Sequence, residues 1–97
     1  MIKVNINKDN IVITGHAMYD DYGKDIVCAS ASSIVISTVN AILKFDKDAI
    51  SYQEEKDKLV IDILKKDDIT KKLIGNMVDM LNELSNQYPK NIKVIGG

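Results

Sequence analysis

The chain has 97 residues and a net charge of −1, from thirteen lysines against fourteen acids; that length fits one domain with one modest core, which pairing with a second copy would enlarge. The near-neutral balance excludes a global electrostatic footprint for nucleic acid or an anionic membrane surface, and the absence of tryptophan with only 5% aromatic residues excludes a base-stacking platform. The single cysteine excludes an internal disulfide.

In chain order, Ile2, Val4 and Ile6 alternate with polar residues in IKVNIN. That is the pattern of a half-buried strand, not the basic start and apolar run of a secretion signal. With one thiol and no such signal, a reducing cytoplasm is the expected compartment. Lys8, Asp9 and Asn10 are turn residues, and IVITG at 11–15 is a second strand, so the two form a hairpin. Residues 16–24 lack apolar periodicity and contain Gly23, which marks a loop. Asp25 is a good N-cap for a long helix running to about Phe45.

No charge occurs in residues 26–43, a stretch long enough to span a bilayer. Ser30, Ser32, Ser33, Ser37, Thr38 and Asn40 interrupt it and strands flank it, so no membrane span is expected. The expectation is a helix buried on most sides, by the sheet and by a second subunit, with Ile36 and Val39 toward that partner. Residues 49–55 and 58–64 read as another hairpin, with Leu59, Ile61 and Ile63 on one face. Residues 65–68 are a solvated connection. A second helix is predicted from about residue 69 to 88, with Leu73, Met77, Leu81 and Leu84 as its apolar stripe and Pro89 beyond its end. IKVIGG closes the chain as a last strand. The order ββαββαβ predicts a single α+β domain over residues 1–97, an α/β sandwich of one mixed sheet with two helices.

The chemistry concentrates in GHAMYDDYGKDIVC, residues 15–28, which holds the only histidine and the only cysteine. With Asp25 as N-cap, Cys28 falls at the third helical position, near the positive end of the helix dipole. Helix N-termini and a neighbouring imidazolium lower a thiol pKa from about 8.5 into the range of roughly 3.5–7.5, which favours the nucleophilic thiolate. His16 leaves the second strand at its end, and the loop is long enough to fold the imidazole back to the sulfur as general base and proton donor. The backbone amides of Cys28 and Ala29 are the natural oxyanion donors. Loop 17–24 could cover the cleft as a lid, hinged at Gly23.

Plainer readings stand beside these. Cys28 could be a small buried hydrophobe. Asp25 caps the helix whether or not it also bonds His16. Ser32, one turn after Cys28, could bond back to the Cys28 carbonyl or orient the reacting pair. Asp20 and Asp21 with His16 and Cys28 lack the repeated spacing of structural zinc, and Gly15 and Gly23 do not make a phosphate loop, so no metal or other cofactor is expected.

GHA at 15–17, G-x-DIVCA at 23–29, Ser32, the opening MIKV and the ending YPKNIKV together resemble the ribosomal-processing cysteine protease family, Prp, over essentially the whole chain. The resemblance implies a cytoplasmic, homodimeric, cofactor-free cysteine endopeptidase. It implies His16 as base and Cys28 as nucleophile, supported by Asp25 and Ser32. It further implies removal of a short N-terminal extension from large-subunit ribosomal protein number twenty-seven, after an aromatic residue in a Phe-Phe-Ala-Ser-like sequence. The first hairpin is shorter than in many relatives, and SASSIV replaces AVSAL after Ala29. Two other readings are a non-catalytic dimeric binding module in ribosome assembly and a thiol redox sensor.

Overall fold

Apolar residues at every second position turn one face of each strand toward the helices. The computed structural model describes residues 1–15, 26–55 and 58–96. Its elements are β1 (Ile2–Ile6), β2 (Asn10–Thr14), α1 (Ile26–Phe45), β3 (Ile50–Glu55), β4 (Lys58–Ile63), α2 (Asp68–Gln87) and β5 (Ile92–Gly96). This is the expected ββαββαβ order. The strands form one sheet in the order β3-β4-β2-β1-β5. Strands β1 and β5 pair in parallel and the other neighbours pair antiparallel, so the sheet is mixed.

Register makes the apolar face continuous. Ile2 lies opposite Ile92, Val4 opposite Ile13, Ile11 opposite Ile61 and Ile13 opposite Leu59. All seven of these side chains are buried. A slip of one residue would turn each of them outward, which is why the pairing is strongly specified. The reverse face carries Lys3, Thr14 and Lys58 in one row, with half-buried Val12 and Val60 paired in the next.

Helix α2 starts one residue earlier than its apolar stripe implies, because Asp67 caps it. The Asp67 Oδ1 accepts the Thr70 N–H at 2.8 Å. Met77, Leu81 and Leu84 are buried as expected, while Leu73 is only half-buried and Thr70 joins the buried set. The Tyr88 N–H donates to the Leu84 carbonyl at 2.9 Å, and Pro89 follows.

Within one protomer helix α1 buries one side, through Val27, Cys28, Ala31, Val35, Thr38, Val39 and Ile42. Ile26, Ala29, Ser33, Ile36, Ser37 and Asn40 are exposed at helical spacing. Val39, expected to face a partner, is therefore a core residue, whereas Ile36 points outward. A run without charges does not reveal which polar residues lie inside. Thr38 is inside because its hydroxyl donates to the Ile34 carbonyl at 2.9 Å, which satisfies it without leaving the helix. By length and composition α1 could cross a membrane. Its inner side chains instead share one core with the sheet and α2.

The far end of α1 is anchored. Lys65 Nζ lies 2.7 Å from Asp46 Oδ2, and the Ala49 carbonyl accepts the N–H groups of Leu64 and Lys65 at 2.9 and 3.0 Å. The end of α1 therefore sits beside the end of β4, which pairs with the start of β2. Twenty residues of helix span about 30 Å. The α1 N-terminus is thus carried to the opposite end of the sheet, where β2 finishes.

Candidate active site

Strand β2 ends at Thr14, and Gly15 follows with φ of +72°, a left-handed conformation that favours glycine. A Cβ on Gly15 would overlap the Met1 carbonyl oxygen. Two constraints therefore require glycine here: the backbone angle and the close passage of the chain start. The residue leaving this fixed point is His16. In the sequence Gly15 reads as the end of the second strand and as part of GHA, and the demand for glycine there emerges from the β1–β2 pairing.

At the same end of the sheet begins α1. Ile26 is its first residue, so Cys28 is the third, as the N-cap reading predicts. Cys28 lies in the first turn, where backbone N–H groups point out of the helix and the dipole is positive. The helix has no acid in its first turn and Lys44 in its last. Cys28 itself is only 3% exposed and belongs to the hydrophobic core cluster. The first turn of a helix packed into the central core thus holds the thiol on a rigid base. Ala29 is exposed and Ser32, one turn on, is half-buried.

His16, Gly23, Asp25 and loop 17–24 lie outside the described residues. Among the described residues, Gly15, which precedes His16 in sequence, follows β2 at the end of the sheet where the first turn of α1, with Cys28 and Ala29, begins. Tyr52, on the helix-facing side of β3, is a further titratable group on an element that contacts α1. Burial, then a hydrogen bond to Glu54 of 3.0 Å, push its hydroxyl up to about 12. At neutral pH it stays protonated and donates to Glu54, so it cannot serve as a base.

The description "Cysteine protease Prp" belongs to the family whose model matches residues 1–93. The ribosomal processing cysteine protease Prp of Mycoplasma genitalium is 36% identical over 98 residues, 97% of this chain and 94% of that protein. The Staphylococcus aureus protein of the same name (strain Mu50) is 30% identical over 88 residues, 88% of this chain and 83% of that one. The crystal structure of S. aureus Prp with a covalently linked product peptide superposes with a TM-score of 0.82 at 24% identity, covering 97% of this chain and 95% of that one. That likeness bears out the fold. The family match and the two relatives carry the activity expected from GHA and G-x-DIVCA. The chain belongs to the Prp family of cysteine proteases.

Proposed function

We propose that this protease removes the short N-terminal extension of large-subunit ribosomal protein number twenty-seven, cleaving after an aromatic residue, in the cytoplasm and as a homodimer. The observation that carries the reading is the place of Cys28 in the first turn of α1, in a chain of this family. The printed names of its relatives, ribosomal processing proteases, supply the substrate class.

In this mechanism the Cys28 Sγ adds to the scissile carbonyl carbon as His16 holds the thiol proton. The amides of Cys28 and Ala29 donate to the oxyanion. The C–N bond breaks when His16 returns that proton to the leaving amine, which leaves a thioester on Cys28. Water, deprotonated by His16, attacks the thioester; the acid leaves and the thiol is restored. Asp25 and Ser32 support the pair, and loop 17–24, hinged at Gly23, closes over the peptide. A peptide covalently linked to the S. aureus relative is the kind of species a nucleophilic mechanism produces.

The test is incubation of the protein with the extended ribosomal protein from the same genome, read by mass spectrometry. Loss of the extension at one bond after an aromatic residue, absent with Cys28→Ala, is the expected result. An intact substrate, or equal cleavage by Cys28→Ala, overturns the assignment.

A further inference from the structure

A dent of about 250 Å³ opens at the end of the molecule away from Gly15, lined by Lys8, Ile63, Lys66, Thr70, Lys71 and Ile74 with Gly75. Lys8 belongs to the β1–β2 turn and Ile63 ends β4, so strand β2, about 17 Å long, separates the dent from the candidate active site.

Several choices here run against local preference. Gly75 lies in the interior of α2, where glycine is less favourable than alanine. A Cβ at Gly75 would meet nothing within 4 Å, so no contact within the chain calls for glycine. Lys71 closes the first turn of α2, the positive end of the helix dipole, where a cation is unfavourable. Thr70 is 2% exposed, and its hydroxyl makes no hydrogen bond among the described residues. Departures from local rules that converge on one spot are the mark of a functional surface.

The charge pattern selects the occupant. Lysines are the only charged residues lining the dent. Lys66 is paired with Asp9, while Lys8 and Lys71 make no ion pair among the described residues. The neighbouring Asp67 carboxylate is engaged in the α2 cap. Between the lysines the floor is apolar: Ile63, Ile74 and the bare backbone of Gly75. Nucleic acid fits this poorly, because the dent offers no aromatic face and no arginine. The volume falls below the about 300–1,000 Å³ of sites for whole small molecules and suits one large side chain.

We propose that this dent docks an acidic segment of a protein partner, one apolar side chain entering over Gly75 while flanking carboxylates meet Lys8 and Lys71. The contact is separate from peptide cleavage and does not depend on the identity of the substrate.

The probe is an acetylated and amidated Glu-Asp-Leu-Glu-Asp peptide, titrated into isotope-labelled protein and followed by amide chemical shifts. Saturable shifts at Thr70, Lys71, Ile74 and Gly75 are expected. Replacing the central leucine by alanine should weaken binding at least fivefold, and Lys8→Glu with Lys71→Glu at least tenfold. Gly75→Leu should fill the dent and abolish the shifts while the thermal midpoint holds or rises. Turnover of a short substrate peptide should be unchanged in Lys8→Glu, Lys71→Glu and Gly75→Leu. The proposal is overturned by unsaturated shifts at millimolar peptide, by equal binding of a Lys-Lys-Leu-Lys-Lys peptide, or by a single-stranded RNA oligonucleotide that competes for the same amides.

Discussion

At the scale of single residues, the chemistry rests on a pair that acts as one unit, so either loss should remove most of it. Cys28→Ala is expected to lower turnover by about 10⁴-fold or more, and His16→Ala by orders of magnitude, with circular dichroism unchanged for both. Near-normal turnover in either folded variant would sink the dyad. Gly15 gives a sharper test of position. Alanine there must adopt a left-handed angle and overlap the Met1 carbonyl oxygen. Gly15→Ala should cost about 1–3 kcal/mol of stability. It should also reduce kcat beyond any effect of unfolding, because His16 follows it directly. Denaturation and single-turnover kinetics on the same sample separate the two effects, and an unchanged midpoint would remove the argument. Cys28 was legible from the sequence because a cap and a helix period place it. The demand on Gly15 was not, because it arises from Met1, fourteen positions away, once β1 and β2 are in register.

Among elements, the caps and the links between them set the tests. Asp67→Ala removes the acceptor for the Thr70 N–H, at a cost of about 1 kcal/mol. Gly75→Ala should act the other way, stabilising by up to about 1 kcal/mol, since the new methyl group enters open space. Urea titration of the two single variants reads both signs, and a destabilised Gly75→Ala would mean the helix is not regular there. The ion pair Lys65–Asp46 ties the end of α1 to the β4–α2 connection. The hydrogen bond from Lys65 holds the Asp46 carboxyl below its ordinary value of 3.8, so its contribution is present above that pH and fades as pH falls through the lowered value. The same bond raises Lys65 above 10.5, so its contribution is complete below that pH and fades as pH rises through the raised value. Both groups are solvated, and the effect should be small and weaker in 1 M salt. Thermal midpoints from pH 2 to 6 should fall less steeply for Asp46→Asn than for the parent chain; superimposable curves would show the pair to be idle. Periodicity made every strand and helix legible. It could not order the strands, because β1 reads alike whether its second neighbour is β5 or β4.

For the whole molecule, the outer side of α1 sets the test of assembly. A charge-free run from residue 26 to 43 invites a helix buried all round, yet one protomer buries only the inner side. Ile26 is 67% and Ile36 43% exposed. Apolar surface of this kind on a small domain marks an interaction surface, which suits the proposed homodimer. The two isoleucine and valine positions three apart in sequence then part company. Ile36→Lys places its ammonium in water in the lone protomer, so it should give a folded monomer by sedimentation with helical content retained. Val39 is 4% exposed, and Val39→Lys would bury an unpaired charge in the protomer's own core, so it should unfold the chain rather than split a dimer. The comparison needs only velocity sedimentation and circular dichroism at one micromolar concentration. A parent chain that sediments as a monomer there would end the dimer proposal, and an Ile36→Lys dimer would move its interface off α1. The Val39 result stands apart from both, because it depends only on packing already set by the sheet.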